Sequence, residues 1–318
     1  MDGLVVDQAV DSSRPRDLPD GRRIVAEWWT VSEALTTPSQ LTVATINVNG
    51  IRAAIRRGMP AWVAAAQPDV VLLQELRAPD ALVRELLAEV LGECHVVHVE
   101  AAAKGRAGVA IASRLPIRAH RPTLPVADGE EEFAGDVGRW VEADVELPDG
   151  RLVTVVSTYL YSGTADTPSM DWKYAHLDRV TARLEELHAS APGGRLVVGG
   201  DINIGHRELD IKNWRGNRKS AGFLPAERAY LERWYGARED GGLGLVDVGR
   251  HLAGEVDGPY TWWSWRGQAF DNDSGWRIDV QITTPQGAAG LVGARVDRAA
   301  SYAERFSDHA PFVATYAF

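Results

Sequence analysis

The sequence predicts one α/β domain over residues 41–318, preceded by an extension of residues 1–40. Three observations carry this reading. Short β-type runs alternate with segments of helical spacing along the whole stretch, as in a mixed α/β domain. No linker-like segment and no repeat interrupts it after residue 40. Hydrophobic residues make up 45% of the 318 positions, enough for a large core.

The elements follow in order. Residues 1–40 are rich in Asp, Arg, Pro and Ser and read as an appended, partly disordered tail. Within it, residues 24–35 have the spacing of a short helix carrying Trp28 and Trp29. Residues 41–46 read as a strand and 69–73 as a buried one. Residues 79–91 place Leu82, Leu86 and Val90 on one helical face. Residues 95–99 and 108–112 are further strands. Pro148-Asp149-Gly150 is a turn signal between the β-runs 139–147 and 151–159, hence a hairpin. Residues 171–188 form a long amphipathic helix, 195–199 a strand, and 225–235 a helix opened by Pro225. Residues 276–283 and 311–316 are the last strands.

The formal net charge is −10, which argues against gripping nucleic acid by bulk positive charge. A local basic surface remains open: residues 207–238 hold eight Lys/Arg against four acids. Taken alone, that excess is a solvated loop and helix face. No apolar run reaches the roughly 18 residues of a membrane span. The N-terminus lacks a basic then apolar leader pattern. Cys94 is the only cysteine, so no intrachain disulfide forms, and a reducing cytoplasm is the expected location.

Five polar clusters fall at the ends of predicted strands: Asn47-Val48-Asn49-Gly50, Gln74-Glu75, Gly199-Gly200-Asp201-Ile202-Asn203, Arg277-Ile278-Asp279 and Ser307-Asp308-His309. Strand ends are where α/β scaffolds present reactive groups. Each cluster alone has an ordinary account as a turn, a cap or a solvated loop. Together they suit phosphodiester hydrolysis. That reaction needs oxygen ligands for a hard cation, a base for water and a cationic group facing the developing charge. Cys and His residues lack zinc spacing. A Gly-x-Ser-x-Gly nucleophile elbow and a Walker phosphate loop are both absent.

The sequence resembles the exonuclease III class of AP endonucleases, within the endonuclease/exonuclease/phosphatase superfamily. The matching segments are Thr45-Ile-Asn-Val-Asn-Gly-Ile-Arg52, Leu72-Leu-Gln-Glu75, Gly199-Gly-Asp-Ile-Asn203, Trp276-Arg-Ile-Asp279 and Ser307-Asp-His-Ala-Pro311. Glu208-Leu-Asp-Ile-Lys-Asn213 and Ala221-Gly-Phe-Leu-Pro-Ala-Glu-Arg228 are similar to the DNA-repair branch specifically. The resemblance covers residues 41–318. It implies a four-layered α/β sandwich, two mixed sheets face to face with helices outside.

It also implies roles. Glu75 would be the main magnesium ligand, with Asn47, Asp308, Asp201 and Asn203 around the metal and Mn2+ as a substitute. Asp201 would orient and deprotonate water, and Asn203 would hold a phosphate oxygen. His309 would contact the scissile phosphate, kept cationic by Asp279. Tyr159 would help the phosphate or leaving group. Asn49, Arg106 and Asn213 would bind DNA. Trp262, Trp276 and Ile278 would line a pocket for a flipped abasic sugar, which an aromatic wall admits while rejecting a full nucleotide. Trp263 and Trp265 are left to core or surface.

Two segments depart from the family pattern, the DNA-bordering loop at Gly105-Arg-Ala-Gly108 and the wedge segment at Leu160-Tyr-Ser-Gly163. The expected activity is AP endonuclease with 3′-to-5′ exonuclease and 3′-phosphatase action on double-stranded DNA. The expected protein is monomeric, with no membrane partner. A superfamily phosphoesterase acting on RNA or a phosphoinositide is the alternative, and a DNA-binding scaffold that has lost catalysis is a third.

Overall fold

The structure, a computed structural model, describes residues 39–103, 105–126 and 133–318. For residues 16–17 and 23–30 it describes backbone pairing alone. The strands are β1 (Arg16–Asp17), β2 (Arg23–Thr30), β3 (Gln40–Asn47), β4 (Val70–Gln74), β5 (His95–Val99), β6 (Val109–Ser113) and β7 (Ile117–Arg121). They continue with β8 (Trp140–Glu146), β9 (Leu152–Tyr159), β10 (Leu196–Asp201), β11 (Val246–Asp247), β12 (Asp279–Thr283), β13 (Leu291–Ala299) and β14 (Phe312–Ala317). The helices are α1 (Ile51–Arg56), α2 (Met59–Ala66), α3 (Asp80–Leu91), α4 (Ser169–Ser190), α5 (Trp214–Asn217), α6 (Pro225–Tyr235), α7 (Val248–Ala253) and α8 (Pro285–Ala289).

The strands form two mixed sheets. One is ordered β1-β2-β13-β14-β3-β4-β6-β5 and the other β11-β12-β10-β9-β8-β7. Period-two alternation builds the layers. Leu41, Val43 and Leu72 point between the sheets and meet Val141, Val155 and Val197 from the facing one. Ala44, Ile46 and Leu73 point outward and are covered by Trp62, Val63, Val83 and Leu87 of α2 and α3. On the far side Val156, Val198 and Ile282 are covered by Leu177, Val180 and Leu184 of α4 and by Leu231 and Trp234 of α6. This is the expected four-layered sandwich. The predicted hairpin is present as well, with Glu146 opposite Leu152 and Gly150 at φ 84°.

The short helix expected over residues 24–35 is not formed. Residues 23–30 are instead strand β2, antiparallel to β13, with Ala294 opposite Trp29. Ile24, Val25, Trp28, Trp29 and Thr30 are β-formers, and the free edge of β13 decides their state over weak helical spacing. The rest of that segment and the tail expected to be partly disordered lie largely outside the described residues. The last two-thirds of the expected strand 276–283 is β12; Trp276 makes only isolated bridges, to Ile211 and Trp262.

Topology puts the chemistry at one end. β3 and β4 run parallel, as do β9 and β10, so Asn47, Gln74, Tyr159 and Asp201 all stand at carboxyl ends. β12 runs antiparallel to β10 with Asp279 opposite Asp201, and β14 runs antiparallel to β3. The turn before β14, carrying Ser307, Asp308 and His309, therefore joins the same end. Polar cross-links fix one sheet on the other: Gln74 Nε2 donates to Ser157 Oγ at 3.0 Å, and Gln281 Nε2 to the Val43 carbonyl at 2.9 Å. Two glycines let backbone approach closely there. A Cβ on Gly199 would lie 2.5 Å from Leu72 Cδ1 of the facing sheet, and one on Gly200 only 1.8 Å from the Thr158 carbonyl oxygen.

Candidate active site

A cavity of about 400 Å³ opens at this end of the sandwich. Asn49, Glu75, Tyr159, Asp201, Asn203, Trp262, Trp276, Ile278, Asp308 and His309 all line it. Three of them, Asn49, Glu75 and Asn203, hold left-handed backbone at φ 46°, 51° and 50°. Such strain persists only where the surroundings enforce it, and it clusters at working sites.

The polar groups form one connected chain. Asn47 is fully buried and donates its Nδ2 to Glu75 Oε1 at 3.0 Å and to Asp201 Oδ2 at 2.9 Å. Its Oδ1 accepts the Asn49 amide at 3.0 Å. Asn47 therefore clamps two carboxylates with its nitrogen and does not turn an oxygen toward them, as a metal ligand would. Asp201 Oδ1 accepts the Asn203 amide at 3.0 Å. Asp308 is gripped by Asn49 Nδ2 at 2.8 Å and Trp262 Nε1 at 3.2 Å. Asn203 spends one Nδ2 hydrogen on the Leu160 carbonyl at 2.9 Å, leaving the other for a ligand.

His309 stands between two carboxylates. Its Nδ1 lies 2.9 Å from Asp279 Oδ2 and its Nε2 3.8 Å from Asp201 Oδ2. Burial alone would depress its pKa, but Asp279 and then Asp201 hold it up at about 10. Burial pushes the Asp201 carboxyl up to about 7, with the His309 charge opposing. Burial, and then the charges of Glu75 and Asp201, raise Tyr159 well above the ordinary phenol, so it stays protonated.

Asp201, Asp279 and His309 bring potential ligand atoms within 4.8 Å of one another. A protonated imidazole has no lone pair for a metal, which leaves the carboxylates. Glu75, Asp201 and Asp308 are hard oxygen donors with neither thiolate nor neutral imidazole among them, so the residues present fit a hard divalent cation.

The remaining expected residues separate. Trp262 and Trp276 meet edge to face with centroids 6.1 Å apart and form one cavity wall with Ile278. Arg106 lies outside this cavity, in an adjoining one of about 540 Å³ shared with Arg77, Arg139 and Tyr161. Asn213 is exposed at the start of α5 and is not brought to either. Trp263 is core. Within the repair-type motif, Asp210 is fully buried and accepts from Arg277 at 2.7 Å and Arg250 at 2.5 Å, so it ties down the loop that carries Asn213.

Sequence reasoning missed three groups. Arg77 lines the cavity and pairs with Glu75 Oε2. Arg139 stacks over Tyr161 and Tyr159, at 3.6 and 4.9 Å from the ring centroids. Lys173 is fully buried beneath the cavity wall. Only Lys173 left a signal, a cation on the apolar stripe of Met170, Leu177, Val180 and Leu184.

This fold, with carboxylates gathered around a histidine at one end of a two-sheet sandwich, defines a phosphoester-cleaving class. Residues 44–309 match the model of the Endonuclease/Exonuclease/phosphatase family, and the chain belongs to that family. It is similar to exodeoxyribonuclease III of Haemophilus influenzae, 31% identical over 281 residues, covering 85% of this chain and 97% of that one. Two solved structures share the fold at TM-score 0.73, each covering 87% of this chain and 100% of its own. One is the 3′ phosphatase NExo from Neisseria bound to a product DNA hairpin, 27% identical. The other is an AP endonuclease from Archaeoglobus fulgidus, 26% identical. Within the family the chain is of the exonuclease III type, a hydrolytic nuclease.

Proposed function

We propose that this nuclease is a magnesium-dependent AP endonuclease of base excision repair, with 3′-to-5′ exonuclease and 3′-phosphatase activity. Its substrate is double-stranded DNA carrying abasic sites or 3′ ends, and manganese substitutes for magnesium. The observation that carries this reading is the bridge of Asn47 between Glu75 and Asp201, with His309 on the far side of Asp201. That row of buried groups supports reading Glu75 as the metal-binding carboxylate, Asp201 as the water-activating one and His309 as the phosphate-facing cation.

Glu75, with Asp201, Asn203 and Asp308 beside it, would hold the cation, which when bound neutralises phosphate charge. Asp201 accepts the proton of the attacking water. The water oxygen bonds to phosphorus as one bridging P–O bond breaks. The His309 imidazolium faces the non-bridging oxygens and Asp279 keeps it charged and oriented. The second Nδ2 hydrogen of Asn203 would donate to the same phosphate. The protonated Tyr159 hydroxyl serves the leaving side. Trp262, Trp276 and Ile278 receive the base-free sugar. Asn49, Arg106 and Asn213 engage the DNA backbone on either side.

Residues 41–318 are the catalytic unit in this reading, working as a monomer in the cytoplasm. Among the described residues no helix is long and apolar enough to cross a membrane. The test is cleavage of a labelled abasic-site duplex beside intact and nicked duplexes, single-stranded RNA and a phosphoinositide, with and without EDTA. Metal-dependent incision at the abasic site is expected. Preferred turnover of the RNA or the phosphoinositide would replace this reading with another substrate.

A further inference from the structure

Part of the cavity lining is built from Ser162, Gly163, Asn203, Ser220, Ala221 and Gly222. These residues come from two sheet-end loops and from the turn before α6. None of them belongs to a continuous strand or helix. Something else must set their mutual spacing, because loops carry little stiffness of their own.

One buried ion pair reaches each of the three stretches. Lys173 Nζ lies 2.6 Å from Glu227 Oε1, and both side chains are 0% exposed. Lys173 Nζ also donates to the Ser162 carbonyl at 3.1 Å and to the Asn203 carbonyl at 3.0 Å. An ammonium has three hydrogens, and all three are used. Glu227 accepts the Gly222 amide at 2.7 and 2.9 Å and the Leu224 amide at 2.9 Å. The contacts are tight on the glycine side too. A Cβ on Gly222 would lie 3.0 Å from the Asn203 carbonyl oxygen and from the Trp276 ring. One on Gly163 would lie 2.6 Å from Met170 Sδ and 3.4 Å from Lys173 Cδ.

Charge burial of this kind is a poor way to gain stability, since a well-packed neutral pair often does as well. What an apolar pair cannot do is hold two carbonyls and two amides at once. Asn203 makes the point. Its left-handed backbone is held at the amide by Asp201 and at the carbonyl by Lys173. We propose that the Lys173–Glu227 ion pair is the positioning element of the active site, fixing Asn203 and the Gly222 turn at the distance from the carboxylates that the substrate requires. Neither residue lines the cavity or touches the reacting phosphate. The inference rests on the function proposed above, because it assigns the pair a part in that reaction.

The experiment uses the full chain with Lys173→Met and Glu227→Gln together, which removes both charges and keeps an acceptor for Gly222 and Leu224. The expected result is a folded protein whose kcat on the abasic duplex falls about a hundredfold, the loss that an ångström of misplacement brings, while KM changes less than about threefold. Amide hydrogen exchange should quicken in the peptides spanning 160–164, 201–204 and 220–225 and nowhere else. A folded double variant with wild-type kcat, or with unchanged exchange in those peptides, overturns the proposal. Should the double variant not fold, Glu227→Gln alone carries the same measurements, and if that too fails to fold the pair is a folding element and the proposal fails. An inactive wild-type chain would instead overturn the proposed function, while the exchange comparison would still report on the pair.

Discussion

His309 Nδ1 lies 2.9 Å from the Asp279 carboxylate, and Asp279 stands directly opposite Asp201 in the strand register of β10 and β12. One strand pairing therefore sets both the carboxylate proposed as proton acceptor and the group that keeps the histidine charged. Against the effect of burial, Asp279 and then Asp201 raise the His309 pKa from its ordinary 6.5 to about 10. The imidazolium persists at neutral pH, so wild-type kcat should rise as Asp201 loses its proton around pH 7 and fall as pH climbs toward about 10. Asp279→Asn should lower kcat at neutral pH by roughly 10²-fold and move that alkaline fall down by one unit or more. A pH–rate profile of the two proteins reads this. Stability follows the same sign. The folded pKa exceeds the unfolded one, so the contribution of His309 is complete below about 6.5 and is lost as pH rises through about 10. Thermal melts of the variant should lack that part of the alkaline decline.

Glu75 is held by Asn47 and Arg77 and shares the cavity with Asp201, Asn203 and Asp308. If it is the principal cation ligand, Glu75→Ala should lower incision of an abasic duplex by about 10³-fold or more, the scale of losing an electrostatic stabiliser. Unfolding should change little, because the Glu75 charge repels the neighbouring Asp201 carboxylate, and relieving that repulsion offsets the lost Asn47 and Arg77 contacts. A Glu75→Ala protein with wild-type turnover would remove the metal assignment altogether.

Chelation tests the same donors from the other side. EDTA should abolish turnover, and magnesium or manganese should restore it. Burial raises the Asp201 carboxyl to about 7. Protons should therefore compete with the cation, so that affinity weakens as pH falls below about 7 and metal binding releases protons. Isothermal titration at two pH values in buffers of different ionisation enthalpy measures both effects.

Much of this site could be read in the sequence, for a physical reason. Metal ligands and general bases must be particular residue types at strand ends, so Glu75, Asp201, Asp308 and His309 stand out against apolar runs. The supporting groups do not have that constraint. Arg77 and Arg139 reach the site through contacts that span loops, and no periodicity marks them. Asn47 could be found but not its orientation, because which amide atom faces the carboxylates depends on Asn49, two residues on. Asn213 was legible as part of a motif, yet it stands exposed and away from the cavity. The fold behaves likewise. Strands with apolar alternation were visible, whereas β2 is decided by a distant edge, that of β13, and residues 24–35 carry a competing helical spacing.

Gly200 predicts a stability effect independent of chemistry. A Cβ there would sit 1.8 Å from the Thr158 carbonyl oxygen, which belongs to the neighbouring strand β9 and cannot swing away. Gly200→Ala must separate β10 from β9 just where Tyr159 and Asp201 are presented. The expected cost is about 3 kcal/mol or more, at the upper end of overpacking penalties. Denaturant titration measures it, and a change under about 1 kcal/mol would mean that the strands part more readily than their register implies.

Substrate selection should reside in the tryptophan pair. Trp262 and Trp276 meet at 90° with centroids 6.1 Å apart, and Trp262 Nε1 is anchored on Asp308. Removing Trp262 would therefore disturb the cation site as well as the wall, whereas Trp276 bonds its neighbours through backbone atoms and contributes its ring to the cavity. Trp276→Ala is thus the cleaner probe. It enlarges the recess that is to hold a base-free sugar and loses the ring contact that discriminates against a full nucleotide. Abasic incision should fall by about 10- to 100-fold, the scale of one lost aromatic contact of roughly 1–3 kcal/mol. Removal of ordinary 3′ nucleotides should fall much less or rise, so the ratio of the two activities is the quantity to measure. A Trp276→Ala protein that lowers both activities in equal proportion would place the ring in general DNA binding and leave abasic selectivity to other residues.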